Sequence, residues 1–244
     1  GQAGPPTVYV GAKSCAGEGC HGATKATDPA LRPRAQQTEF RTWQDKDKHS
    51  RAFRMLKEDL SKHIVERLGW DAAWKEDRCL SCHSMNALPP KRGLNFTLED
   101  GVSCDGCHGP ASNWLASHAF DTQTYQDSLK QGMKDIRSPV VRAEMCLSCH
   151  LGNHSEKKTV DHEMIAAGYP RLIFEANAYS QKLPPHWREK KASDDNLSRA
   201  QIWAAGQLVS LRDAVRLLDE DLNSDHWPEY SHFDCAACHH ELKD

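Results

Sequence analysis

The chain contains ten cysteines, and each belongs to a pair closed by a histidine. CLSCH occurs twice, as Cys79, Cys82 and His83 and again as Cys146, Cys149 and His150. CDGCH places Cys104, Cys107 and His108, and CAACH places Cys235, Cys238 and His239. The first occurrence, CAGEGCH, sets four spacers between Cys15 and Cys20 before His21. Histidine is only 14 of 244 residues, so random placement would almost never put one after every pair. A disulfide framework asks for thiols but not for the histidine. Structural zinc assembles four ligands from two such pairs, and five pairs do not divide into those sites. A redox dithiol needs a single pair in a βαβ setting. Covalent c-type haem attachment explains both parts of the motif. Two thiols add to the two vinyl groups of one porphyrin, and the next residue is set beneath the iron. The expectation is therefore five covalently attached haem c groups, with His21, His83, His108, His150 and His239 as proximal ligands.

That reading constrains the fold. Aromatics are 7% of the chain and its mean hydropathy is −0.71, which is little core-forming material for 244 residues. Five porphyrin plates would supply the missing apolar surface, so folding is expected to depend on the cofactors. The expected class is mainly α: a loop-rich multihaem cytochrome c fold with no sizeable sheet, residues 1–244 forming one domain. Phe53, Leu56, Leu60, Ile64 and Leu68 recur at helical spacing and predict one helix over 49–69, stopped by Gly69. A further helix is expected over 72–78, leading into the second motif. Residues 84–103 read as a loop, and the short separation predicts that the second and third haems are neighbours. Residues 151–193 show no clear periodicity. Residues 196–222 predict a long amphipathic helix, capped near Asp194 to Asn196 and weakened at Gly206.

The formal net charge is −3, and propionates would make it more negative. Lysine and arginine are scattered, so no nucleic-acid surface is expected. No apolar run is long enough to span a membrane. Thioether-linked haems are assembled outside the cytoplasm, so the protein is expected to be periplasmic or extracellular, with its signal peptide removed.

Nine histidines lie outside the motifs. Distal ligation would use them, since two axial imidazoles close an iron and suit it to electron transfer. His49 opens an amphipathic segment after a polar turn. His118 follows Trp114 and Leu115 on a short helical stretch. His162 sits among apolar residues in VDHEMIAAGYPRL, and His186 is held in PPHW. These four are the favoured distal ligands. His154, His226, His232 and His240 form a second tier, and His63, amid lysine and glutamate, reads as solvated. Four candidates serve five haems, so either the second tier supplies the fifth or one haem is five-coordinate. The five methionines are assigned to packing. Tyr169 and Tyr179 could stand over an open haem, although packing is the simpler use.

GVSCDGCHGPASNWLASH resembles the G-V-x-C-x-x-C-H-G-P segment of the cytochrome c-554 family, and HSRAF resembles that family's distal-histidine segment. DHEMIAAGYPRL, PPHW and CAACHHEL resemble segments of related multihaem cytochromes. The resemblance implies a helical fold, closely packed haem pairs and electron transfer, with His49 and His118 as distal ligands. The family's named member is a tetrahaem partner of hydroxylamine oxidoreductase and includes a five-coordinate haem. This chain departs from it with a fifth motif and with the CAGEGCH spacing. The expected function is a carrier that docks transiently with redox partner proteins. Two alternatives stay open: a reductase or oxidase of a small nitrogen or sulfur species, and a filament-forming subunit. Every motif ends in histidine, which argues against the lysine-ligated pentahaem nitrite reductases.

Overall fold

Helix accounts for 52% of the structure, and no sheet forms among the described residues. The computed structural model describes residues 7–32, 35–188, 195–225 and 227–240. In chain order the α-helices are α1 (Glu39–Lys46), α2 (Ala52–Met55), α3 (Asp59–Leu68), α4 (Asp77–His83) and α5 (Cys104–His108). They continue with α6 (Tyr125–Lys130), α7 (Pro139–His150), α8 (His162–Ala166), α9 (Ala176–Lys182) and α10 (Asp195–Leu222). Extended pairing is confined to isolated bridges, Tyr9 with Arg92 and Asn153 with Lys158. The mainly α, loop-rich class is thus the observed one.

The motif spacing is itself a helical signal. In an α-helix, residues i, i+3 and i+4 share a face, so a C-x-x-C-H segment presents both thiols and the imidazole together. Three motifs do this: α4 ends at His83, α5 is the motif Cys104–His108, and α7 ends at His150. The other two close by turns. The His21 N–H donates to the Cys15 carbonyl at 3.2 Å, across the four-spacer loop, and the His239 N–H donates to Cys235 at 2.7 Å.

Apolar packing is divided and thin. One cluster joins Phe53, Leu56, Val65, Ala73, Cys79 and Leu80, with Trp70 and Leu98 against it. Another joins Ala143 and Leu147 of α7 to Val209 of α10, with Leu151 and Phe174 alongside. The clusters abut the second and fourth motifs, through Cys79 and Leu80 and through Leu147, whereas the fifth motif is exposed.

Several local expectations are corrected. The single helix over 49–69 is instead a 3-10 turn (Lys48–Arg51), then α2, then α3. Leu56, Lys57 and Glu58 donate to carbonyls three residues back, and Glu58 is extended (ψ 163°), so the chain breaks before Asp59. The break leaves Leu60 57% exposed and lets Val65 join Phe53 and Leu56. Periodicity registers a face but not a kink within it. Gly69 does end α3, in the left-handed region. The helix expected over 72–78 begins at Asp77 and runs through the second motif. The stretch 151–193 holds α8 and α9, whose lengths of 5 and 7 residues are too short for a periodic pattern to show. The expected cap of the last helix falls partly on Asp194, which lies outside the described residues.

Gly206 is a point of close approach rather than of weakness. A Cβ there would lie 2.4 Å from the Ala176 Cβ, where α9 crosses α10. Gly206→Ala should therefore destabilise, even though alanine improves helix propensity by about 1 kcal/mol. The check is a thermal melt of the holoprotein, and a raised midpoint would contradict the close-approach reading.

Candidate haem-binding centres

Two motif histidines and three of the distal candidates are each held at Nδ1. His21 Nδ1 lies 2.9 Å from Glu39 Oε2, and His49 Nδ1 lies 2.8 Å from Asp47 Oδ1. His83 Nδ1 donates to the Ala52 carbonyl at 2.9 Å, His118 Nδ1 to Leu115 at 2.5 Å, and His186 Nδ1 to Pro184 at 3.2 Å. A hydrogen bond at Nδ1 fixes the ring and leaves Nε2 as the metal-facing atom, the arrangement found behind metal-bound histidines. The carboxylates on His21 and His49 raise the basicity of those rings against the opposing effect of burial.

Burial keeps other rings neutral, the state in which an imidazole can ligate. His108 is pushed down to about 4 by burial and then by neighbouring His186, His21 and His118. His150 is pushed down to about 4 by burial and then by His49. His83 is lowered by burial.

The ring pairs supply a test of fit. Two imidazoles on opposite sides of one iron, with metal–nitrogen bonds of roughly 2 Å, have ring centres about 6 Å apart. His21 and His118 stand at 6.1 Å and 8° between planes, His49 and His150 at 6.2 Å and 88°, and His162 and His239 at 6.3 Å and 25°. Each pair joins a motif histidine to one of the four distal candidates. The fourth candidate, His186, lies near His108 and depresses it. The residues present therefore fit haem.

Two of the second-tier histidines, His232 and His154, lie beside one carboxylate. His232 Nε2 lies 2.6 Å and His154 Nε2 3.0 Å from the two oxygens of buried Asp221. His63 is exposed on α3, and His226 lies outside the described residues. Sequence reasoning missed Glu39 and Asp47. Asp47 had a local signal, two residues before His49 at a turn; Glu39 had none.

The thiols of different motifs meet. Cys15 lies beside Cys104, and Cys82 beside Cys149. Cys146 and Cys149 lie near Cys107, whose thiol is pushed up to about 12, chiefly by burial. The contacts thus join the first motif to the third and the second to the fourth. The second and third motifs, expected to be neighbours, also come together: the Met85 side chain, two residues past His83, packs against Gly106 of the third motif. Residues 84–103 form a loop closed on itself, where the Ser84 hydroxyl donates to the Leu98 carbonyl, and the Val102 N–H donates to the His49 carbonyl at 3.0 Å. The connecting loop is thereby tied to the His49 turn.

The family described as cytochrome c554 and c-prime matches residues 14–109, the segment holding the first three motifs. Cytochrome c-554 of Nitrosomonas europaea is 29% identical over 126 residues, covering 45% of this chain and 51% of that protein. The match thus spans about half the length of that relative. No solved structure matches the chain. No helix among the described residues is long and apolar enough to cross a membrane. With attachment motifs, opposed histidines and this likeness in agreement, the chain is a c-type cytochrome, carrying covalently bound haem and resembling the cytochrome c-554 family.

Proposed function

We propose that the protein is a pentahaem electron carrier of the periplasm or cell exterior. The observation that carries this reading is the set of three opposed histidine pairs. Each would close an iron on both sides and leave electron transfer as its use. When bound, haem supplies the one-electron ferric–ferrous couple. The chain's own residues fix the axial rings, through Glu39, Asp47 and the backbone carbonyls, and so hold the ligand field unchanged between the two states.

The thiol contacts support an order for the relay. The first motif adjoins the third, the third adjoins the fourth, and the fourth adjoins the second. α8 begins at His162, which faces the fifth motif, and Tyr169 just beyond it lies against His83 of the second. Electrons would pass first–third–fourth–second–fifth, or in reverse, with partners docking transiently at the two ends. Haem content by pyridine haemochrome should give five per chain. Stopped-flow reduction should then show all five equilibrating together. A haem that stays oxidised while the others reduce would count against the carrier reading.

A further inference from the structure

Two of the candidate ligand rings rest on a carboxylate, where others rest on a backbone carbonyl. His21 of the first motif has Glu39 Oε2 at 2.9 Å from its Nδ1. His49, which faces His150 of the fourth motif, has Asp47 Oδ1 at 2.8 Å. His83 of the second motif donates instead to the Ala52 carbonyl, and His186, beside His108 of the third, to the Pro184 carbonyl. A carbonyl is a neutral dipole. A carboxylate sets a full negative charge against the ring, on the side away from the metal-facing nitrogen.

One short helix places both carboxylates. Glu39 is the first residue of α1, and Asp47 follows its last, Lys46. At 1.5 Å per residue the two stand about 12 Å apart along the helix, so α1 reaches from the first motif to the partner of the fourth. Its start is stitched to the first motif: the Phe40 N–H donates to the His21 carbonyl at 2.9 Å, and Arg41 Nε to the Gly22 carbonyl at 2.7 Å. Glu39 divides its oxygens, Oε2 to the ring and Oε1 to the Gln36 N–H. Asp47 caps the turn Lys48–Arg51, and its Oδ1 accepts from the backbone N–H of His49 as well as from the ring. Each carboxylate thus accepts from two N–H groups, which favours its ionised form. The Glu39 side chain is 16% exposed and Asp47 6%, so water screens little of either charge.

A carboxylate behind a ligating imidazole makes the ring a more basic ligand. That favours ferric iron, which carries one more positive charge than ferrous, and so lowers the reduction potential. We propose that Glu39 and Asp47 act through His21 and His49 as positioning residues that hold the first and fourth haems at lower potential than the second and third. The first motif stands at one end of the relay order. An electron delivered there by a reduced partner protein passes to the third haem at higher potential, which makes the first motif the entry end. This deepens the carrier reading and rests on it.

The test is a potentiometric titration of the holoprotein and of its Glu39→Gln and Asp47→Asn variants, followed by low-temperature EPR. Each substitution keeps an oxygen acceptor for the ring and removes the charge. The ring planes tell the two haems apart. Near-parallel rings, at 8° for His21 and His118, separate the iron orbitals that share the unpaired electron and give a rhombic signal. Crossed rings, at 88° for His49 and His150, leave those orbitals nearly degenerate and give one large g value. Glu39→Gln should favour reduction of one rhombic haem about tenfold, a rise of roughly 59 mV, the difference between a charged and a neutral partner. Asp47→Asn should do the same to the large-g haem. Glu39→Asp, which keeps the charge, should stay closer to the unsubstituted protein than Glu39→Gln does. A midpoint unmoved in either amide variant overturns the proposal for that haem. First and fourth haems that reduce before the second and third in the unsubstituted protein overturn it altogether. Peptide mapping of the same samples locates haem on Cys15 and Cys20 and on Cys146 and Cys149. Its absence there sinks the underlying reading, whereas its presence with unmoved midpoints sinks only the inference.

Discussion

Made without haem, the chain is expected to lose nearly all of its helix except part of α10. The buried clusters are small for a chain of 244 residues, and each is built against a motif. Helices of 4, 5 and 5 residues (α2, α5 and α8) cannot persist alone, because isolated helices shorter than roughly 12–15 residues are marginal in water. Only α10, with 28 residues, exceeds that length. Ordering a residue's backbone costs about 1–2 kcal/mol, and the apolar side chains present do not offset that across the loops. Porphyrin surface must supply the remainder, by binding the folded chain and not the unfolded one. The check is circular dichroism of a variant with all ten cysteines changed to serine. Helix near the share of α10, and no cooperative melt, is the expected result; a native-like spectrum with a sharp transition would show that the haems are guests in a preformed fold.

What could be read from the sequence was the local grammar. Each thiol pair and its histidine are adjacent in the chain, so the expectation of attachment and proximal ligation needed no tertiary information. His49, His118, His162 and His186 could be singled out as distal candidates, because a histidine at a turn, beside tryptophan or after two prolines stands apart from one on a charged face. Which motif each would serve was not legible. His118 lies ten residues past His108, yet its ring faces His21, and His49 faces His150 across a hundred residues of chain. Such pairings are set by how short helices are threaded, and no period in the sequence encodes that.

The same limit explains the relay order and Tyr169. Proximity in sequence suggested that the second and third motifs adjoin, and Met85 does pack against Gly106; that α5 also meets the first motif had no signal in the sequence. Tyr169, in a Gly-Tyr-Pro turn segment, was one of two tyrosines read as able to stand over an open haem, but its contact with His83 had no signal in the sequence. The sequence offered four favoured distal candidates for five motifs, and it could not assign any of them to a motif.

Removing a distal histidine should change one haem and leave the others alone. His49→Ala, His118→Ala and His162→Ala are each expected to convert one low-spin haem to high-spin, and added imidazole should restore it. His63→Ala, His154→Ala and His232→Ala should leave the low-spin count as it was, because those rings are exposed or turned to Asp221. The three distal variants should also differ in stability. Asp47 is only 6% exposed and accepts from both the ring and the backbone N–H of His49. Loss of the ring leaves a buried carboxylate with fewer donors, a cost of about 1–3 kcal/mol. The His118 ring rests on a backbone carbonyl, which is cheaper to leave short of a partner than a charge. His49→Ala should accordingly melt below His118→Ala, by several degrees, given about 2–4 °C per kcal/mol for a chain of this size. EPR spin counts with a thermal melt of each holoprotein decide the matter. If a change at His49 leaves every haem low-spin, the partner of His150 is some other residue, and the relay order drawn through the fourth motif loses its support.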